Sequence, residues 1–302
     1  MSSNKIPVFV NAGGGTAAAK GDKLRDELET AFGEAGATID LALLKGGELS
    51  EAVAAKSTEP LVVVGGGDGT LGCAAQALVD HGGATLGILA LGTHNHLAKE
   101  LGIPLDLKEA AKLIVARPTR RIDLARVNGR VFVNNASVGF YPLMVRERDA
   151  HQERHGLPKW LATLPAAREA LRRLPQHRLH LELPDGARDV TTPMLFIGNN
   201  RYRLDAGKVG QRERLDGGTL SLFAITATSS GALIAVALRA LLGRADRSRD
   251  FAAIGEAEQF SVDDRSSDKE VALDGEVIEL DMPLEFSIDP AALEVVAPPP
   301  TG

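Results

Sequence analysis

The chain carries a single cysteine, Cys73, so no internal disulfide can brace its 302 residues. A reducing compartment is the expected setting. Aromatic residues are scarce, at 4%, so the core must be filled by Leu, Val, Ile and Ala. Basic residues hold no excess: Lys and Arg number 34 against 40 Asp and Glu, for a net charge of −6. That balance argues against a general nucleic-acid binder, and no nucleic-acid partner is expected. Long apolar runs are missing too. The longest, Ala232 to Leu238, stops at Arg239, far short of the ~20 residues a spanning helix needs. Met1 to Val10 lacks the basic start and long apolar stretch of a signal peptide. A cytoplasmic protein is expected, with any membrane contact peripheral.

What is present is two patterns in succession. Up to about Arg120 strands and helices alternate: strands at Ile6–Val10, Thr38–Leu44, Leu61–Val64 and Leu86–Leu91, with helices including Lys23–Phe32, Leu49–Ala55, Leu71–Val79 and Leu107–Val115. Alternation of this kind predicts an α/β domain with a parallel sheet. After Ile122 short strand-like segments dominate, from Arg130–Asn134 to Leu284–Ile288, as in an antiparallel β-sandwich. The expected domains are 1–122 and 123–302. Two helices interrupt the second domain. One, Leu157–Leu174, is basic, amphipathic and carries the only tryptophan, Trp160. Its apolar stripe suits the sandwich, and its basic face suits an anionic bilayer. The other, Ala232–Leu242, is apolar nearly all round.

The informative stretch is Leu61-Val62-Val63-Val64-Gly65-Gly66-Gly67-Asp68-Gly69-Thr70. A buried strand runs into glycines and then a helix. Free N–H groups at such a turn favour phosphate, and glycine lets a ligand approach the backbone. Asp68 would repel a bare phosphate, so a Mg²⁺–nucleotide is the better match. The plain alternative is a carboxylate that caps a helix. A second strand-to-helix turn follows at Gly92-Thr93-His94-Asn95-His96, and an earlier one lies at Asn11-Ala12-Gly13-Gly14-Gly15-Thr16. Parallel strands would bring such turns to one sheet edge, where open α/β sheets bind ligands.

At these residues the chain resembles the diacylglycerol kinase catalytic-domain family, which includes bacterial lipid kinases and the sphingosine and ceramide kinases. The Gly-Gly-Asp-Gly-Thr run is Gly66 to Thr70, and the Gly-Thr-x-Asn turn is Gly92, Thr93 and Asn95. Asn134-Asn135, Gly198-Asn199-Asn200-Arg201-Tyr202, Leu215-Asp216-Gly217-Gly218 and Leu273-Asp274-Gly275-Glu276 follow in order. The Gly-Gly-Asp-Gly motif alone is shared with NAD kinases and phosphofructokinases. Departures exist: Gly72-Cys73 replace Asn-Glu, and His94 and His96 replace Gly and Asp. Gly217 stands where several bacterial members carry an Asp for an accessory Mg²⁺, whose other ligands would be the Arg214 and Thr219 backbone.

The resemblance implies the same two-domain architecture, with the final strand able to return to the first domain, and an ATP- and Mg²⁺-dependent lipid kinase that phosphorylates a hydroxyl of a diacylglycerol-like or sphingoid lipid. Asp68 would hold Mg²⁺ directly or through water. Gly66, Gly67, Gly69 and Thr70 would form the nucleotide cradle, and Thr93 and Asn95 would add side-chain hydrogen bonds. Asn11, Gly13 and Thr16 contribute from the first turn by resemblance, and Lys45 more loosely. Asp274-Gly275 reads as a hairpin turn. On spacing alone such a turn is surface chemistry. The resemblance makes Glu276 the general base, with Asp274 and Gly275 assisting at the nucleotide. His94 and His96 are expected to line the nucleotide loop rather than bind zinc. Cys73 is expected to be a small buried helix residue, and Arg201 to reach a phosphate or form an ion pair. A homodimer is among the possible assemblies. An NAD kinase-like phosphotransferase and a non-catalytic nucleotide- or lipid-binding regulator are the competing readings.

Overall fold

The structure is a computed structural model. It describes residues 5–21, 23–139, 176–203, 211–227, 229, 231–233, 235, 239, 251–264 and 270–300. The expected helix around Trp160 and most of the one after Ala232 lie outside these. The chain divides into two compact units, Met1–Leu124 with Asp289–Gly302, and Ala125–Ile288.

The first unit alternates as its sequence does. Strand β1 (Ile6–Asn11) is followed by α1 (Gly15–Lys20), α2 (Lys23–Glu34), β2 (Ile39–Leu44) and α3 (Gly47–Ala55). Then come β3 (Leu61–Gly66), α4 (Asp68–His81), β4 (Thr85–Ala90), α5 (His96–Glu100), α6 (Leu107–Ala116) and most of β5 (Thr119–Val127). The sheet order is β2-β1-β3-β4, with parallel pairing throughout. The order reverses between β1 and β3, which makes the C-terminal ends of those strands the topological switch point. Val62, Val63 and Val64 are fully buried, as the continuous β-branched run requires of a central parallel strand. At the edge, Arg25 of α2 donates to the Leu41 carbonyl of β2 at 3.3 Å, a charged cover on an otherwise open strand.

Strand β3 is longer than its apolar run suggests. Gly65 and Gly66 pair with Leu89 and Ala90 of β4 and are ladder residues, not turn residues. A Cβ on Gly65 would lie 2.8 Å from Leu91 Cδ1 and 2.9 Å from Val10 Cγ2. Only Gly67 stands between strand and helix, as the N-cap of α4.

The second unit is antiparallel. It contains the end of β5, then β6 (Arg130–Phe132), β7 (Asn135–Gly139), β8 (His177–Leu183), β9 (Gly186–Thr192) and β10 (Met194–Asn199). After these come β11 (Tyr202–Arg203), β12 (Gln211–Arg212), β13 (Leu220–Ile225), β14 (Phe251–Ala257) and β15 (Gln259–Asp264). The hairpin of β16 (Glu270–Leu273) and β17 (Glu276–Glu279) precedes the last strand, β18 (Leu284–Val296). One sheet runs β14-β13-β10-β7-β16-β17. In the other, β15 pairs with β18 and β8, and β8 with β9. Phe132, Phe260 and Phe286 join Val138, Leu195, Leu222 and Val271 in one apolar core. The few aromatics are concentrated here, with Phe260 and Phe286 stacked at 4.8 Å.

Strand β18 runs well past the expected end at Ile288. Ala291 takes a left-handed φ of 51° after Pro290, and its N–H donates to Asp123 Oδ1 at 2.7 Å. Its last residues add to the first unit's sheet, where Val295 pairs in parallel with Leu86. Strand β9 escapes the sequence because Gly-Ala-Arg-Asp-Val-Thr-Thr has no apolar alternation. It is an exposed edge strand specified by its partner β8.

Candidate functional site

In the first unit the strand-end turns are bonded to one another. Asn11 closes β1; its Nδ2 donates to Thr70 Oγ1 at 2.9 Å, and its Oδ1 accepts the Gly13 N–H at 2.9 Å. This joins the turns on either side of the switch point. Asp68 is the first residue of α4. Its Oδ2 accepts the His96 N–H and its Oδ1 the Leu97 N–H, each at 3.0 Å. The plain capping alternative is therefore realised in an unexpected place. Asp68 caps α5, the helix after the next turn, by a long-range bond pair.

The glycines serve this close approach. A Cβ on Gly92 would lie 2.3 Å from Gly67 Cα, and one on Gly66 would lie 2.6 Å from Thr70 Cβ. Distances under about 3 Å leave no room for any side chain. None of Gly66, Gly67 and Gly69 has a positive φ. Gly66 and Gly67 are glycine for contact with neighbouring protein, not for turn conformation. Asn95 has a φ of 53° and is 8% exposed. Its Oδ1 accepts the Gly92 N–H at 2.8 Å, and its Nδ2 donates to the Gly92 carbonyl at 2.9 Å. Its side chain is thus spent on shaping the turn. Thr93 is exposed, as are His94 and His96, whose rings stack with centroids 5.6 Å apart. Lys45 is exposed at the end of β2, and its N–H donates to Glu48 Oε2 at 3.3 Å. The side chain of Thr16 lies outside the described residues.

The fit to Mg²⁺ can be tested on Asp68. Each carboxylate oxygen has two lone pairs, and one amide uses one of them. Capacity for a hydrated cation remains. Mg²⁺ takes one or two carboxylates alongside waters and substrate phosphates, so a single carboxylate suits it. Among the described residues no group of three or more His, Cys, Asp or Glu is placed to hold a metal.

In the second unit the turn between β16 and β17 is two residues long. Asp274 and Gly275 have φ values of 49° and 91°, the pattern of a type I′ hairpin. The Asp274 carboxylate is not directed at solvent. Oδ2 accepts the Val133 N–H at 2.8 Å, and Oδ1 accepts the N–H groups of Asn134 at 2.7 Å and Asn135 at 3.2 Å. The Asp274 N–H donates to the Asn135 carbonyl at 3.0 Å. Glu276, two residues on, is exposed and has no hydrogen bond or ion pair among the described residues. The two carboxylates of this turn are therefore different groups, one fixed in place and one available.

Several other expectations change. Cys73 is exposed, not buried, because the face of α4 that carries Leu71, Ala74, Ala75 and Leu78 is the one packed inside. Arg201 forms an ion pair. Its Nε donates to Glu256 Oε1 at 2.8 Å and its Nη2 to Oε2 at 2.5 Å, and the bond to Glu256 raises the guanidinium pKa further. At the accessory position, the Gly217 N–H donates to Asn200 Oδ1 at 2.7 Å, and Arg214 Nε donates to Asp216 Oδ1 at 2.8 Å. Arg212 was not singled out from the sequence. It is 8% exposed and donates from Nη1 to the Val133 carbonyl at 2.6 Å and from Nη2 to Asn134 Oδ1 at 2.9 Å. Nothing in Gln211-Arg212 distinguishes it from a surface arginine.

Comparison with known proteins agrees with this arrangement. Residues 5–127 match the family model described as the diacylglycerol kinase catalytic domain. The chain is similar to a probable lipid kinase YegS-like of Klebsiella pneumoniae (strain 342), 49% identical over 26% of this chain and 27% of the relative. A probable lipid kinase YegS-like of Chromohalobacter salexigens is 31% identical over 54% of this chain and 53% of the relative. The match thus spans about a quarter of the former and half of the latter. Among solved structures, a diacylglycerol kinase from Bacillus anthracis str. Sterne aligns over 99% of this chain and 98% of that one. Its TM-score is 0.69 at 18% identity, which establishes likeness of fold. An NAD kinase from Archaeoglobus fulgidus in complex with ATP gives a TM-score of 0.50 at 12% identity, over 97% of this chain and 93% of that one. The likeness of this chain to the diacylglycerol kinase catalytic domain is therefore carried by residues 5–127.

Proposed function

We propose that this chain is an ATP-dependent lipid kinase acting on a hydroxyl of a diacylglycerol-like or sphingoid lipid. The observation that carries the reading is the bonded cluster of strand-end turns at the switch point: Asn11 to Thr70, Asp68 to His96 and Leu97, and Gly67 against Gly92. Such a rim is pre-organised for a nucleotide, and it falls inside the segment that matches the family model. Gly67, Gly69 and Thr70 would offer backbone N–H groups to the phosphates. Thr93, His94 and Lys45, exposed around the rim, would contribute side-chain contacts. Mg²⁺, held by the spare lone pairs of Asp68, would neutralise charge on the phosphate oxygens.

In the transfer step the acceptor hydroxyl oxygen bonds to the γ-phosphorus, and the bond from that phosphorus to the β–γ bridging oxygen breaks, releasing ADP. Glu276, free of partners among the described residues, takes the hydroxyl proton. Asp274 keeps the turn rigid and so fixes where Glu276 starts. The acceptor would be met at a membrane surface, to which the chain binds peripherally. No helix among the described residues is long and apolar enough to cross a membrane.

The test is transfer of label from γ-labelled ATP into mixed micelles of diacylglycerol, ceramide, sphingosine or phosphatidylglycerol, with and without Mg²⁺. A Mg²⁺-dependent labelled lipid supports the reading and names the acceptor. A second reading, nucleotide binding without turnover, draws on the amide bonds that occupy the carboxylates of Asp68 and Asp274. It requires ATP binding with no labelled product for any lipid. Labelled NAD in place of labelled lipid would move the assignment to the NAD kinase-like alternative.

A further inference from the structure

We propose that Arg212 is a positioning residue that holds the Asp274–Glu276 turn through a buried chain of hydrogen bonds; this rests on the reading of Glu276 as the general base. Arg212 lies opposite Tyr202 in the two-residue ribbon of β11 and β12. Its guanidinium stands 6.0 Å from the centre of the Tyr202 ring. It is 8% exposed, and its acceptors include the carbonyls of Val133 (2.6 Å) and Asn199 (3.5 Å) and Asn134 Oδ1 (2.9 Å).

These acceptors belong to the segment that grips Asp274. The Val133 carbonyl and the Asn134 N–H are two ends of one peptide group. Arg212 bonds to the carbonyl end, and the N–H end donates to Asp274 Oδ1 at 2.7 Å. A cation on the carbonyl polarises the amide and strengthens its donation to the carboxylate. The peptide thus relays a positive charge to a negative one without direct contact between them. Tyr202 adds a second anchor, its hydroxyl donating to the Asn134 carbonyl at 3.1 Å. Asn199 adds a third, with its Nδ2 donating to the Val133 carbonyl at 3.0 Å and its N–H to the Asn134 carbonyl at 2.9 Å.

Segment 133–135 is therefore clamped between Arg212, Tyr202 and Asn199 on one side and Asp274 on the other. Because the turn holds only Asp274 and Gly275, the path of the chain from a fixed Asp274 sets the start of β17 and with it Glu276. Beside this clamp, Asn200 Oδ1 binds the Gly217 N–H and its Nδ2 donates to Asn199 Oδ1 at 3.2 Å. The 212–217 loop is thus fastened at one end by the Arg212 guanidinium and at the other by the Asn200 side-chain amide.

The experiment uses the full chain with the Arg212→Lys substitution. Lysine keeps the charge but cannot span a carbonyl and an amide oxygen in one plane. Three quantities are read: kcat, the KM for ATP, and amide hydrogen exchange in the peptide containing Val133 to Asn135. The expected result is a 10- to 100-fold fall in kcat, on the order found for lost positioning groups. The KM for ATP should stay within about twofold, and exchange at 133–135 should speed up. Tyr202→Phe removes a single bond of the clamp, keeps the ring and is the milder variant should Arg212→Lys fail to fold. It should show the same pattern, reduced to a few-fold. Unchanged kcat in the folded variant overturns the proposal. So does a kcat loss with exchange at 133–135 as slow as in the parent, since the effect would then travel by another route. Glu276→Gln is measured alongside. Parent-like turnover there removes the base assignment alone, and the exchange data still decide whether Arg212 governs the 133–135 amides.

Discussion

Asp68 Oδ1 accepts the backbone N–H of Leu97 at 3.0 Å. One carboxylate so placed ties the turn after β3 to the turn after β4, and its other oxygen repeats the bond at His96. The residue expected to serve only the nucleotide also holds the rim together.

Asp68→Asn is expected to lower lipid phosphorylation by roughly 10²-fold or more, because it removes the charge that would face the cation. It should also destabilise the fold. An asparagine presents one oxygen and one NH₂ to two N–H donors, so one donor loses its acceptor; with the His96 bond exposed and the Leu97 bond half-buried, the cost is about 1 kcal/mol. Thermal unfolding beside the kinase assay checks both effects. Parent-like turnover would remove Asp68 from the mechanism.

Glu276→Gln should separate the two effects. Glu276 has no partner to lose among the described residues, so the melting temperature should hold within about a degree of the parent while turnover falls by about 10²- to 10⁴-fold. A large loss of stability with little change in kcat would contradict the assignment.

Gly92→Ala and Gly14→Ala form a matched pair. The added Cβ at Gly92 would lie 2.3 Å from the Gly67 backbone, whereas at Gly14 nothing lies within 4 Å. The first should part the two turns, at a cost of about 1–3 kcal/mol, and weaken ATP binding. The second should leave ATP affinity within about twofold of the parent, since the added methyl meets no atom within 4 Å, although alanine caps α1 less well than glycine. Nucleotide titration by calorimetry reads the difference. Equal behaviour would show that the Gly67–Gly92 contact does not shape the nucleotide site.

Gly217→Asp restores the carboxylate that several bacterial members of the family carry. Here its Cβ would lie 2.8 Å from Asn200 Oδ1, and that oxygen already accepts the Gly217 N–H. The variant should melt lower than the parent, and added Mg²⁺ should not raise its melting temperature. A Mg²⁺-dependent rise would show that the accessory site can be rebuilt by one residue.

How much was legible from sequence differs between the units. The apolar run Leu61–Val64, buried on both faces, and the regular spacing of strands and helices announced the parallel sheet, because periodicity and β-branching act locally. The Asp274–Gly275 turn was legible for the same reason, since its two positive φ values suit few other residue pairs. Strand β9 and the long β18 were not, since their pairing comes from neighbours far along the chain.

The sequence by itself determined the candidates for the chemistry: the glycines at strand ends, Asp68 and, through the family resemblance, Glu276. Only the tertiary structure decided their employment. It pressed the Gly66–Gly67 run close against Thr70 and Gly92, bonded Asp68 to the first amides of α5, and fixed the Asp274 carboxylate while leaving the Glu276 side chain exposed. It also buried Arg212 against the segment that holds Asp274. The physical reason is that a hydrogen bond or a close contact between distant segments depends on where the backbone returns in space. That return is set by sheet order and packing as a whole, and no local pattern of residues contains it.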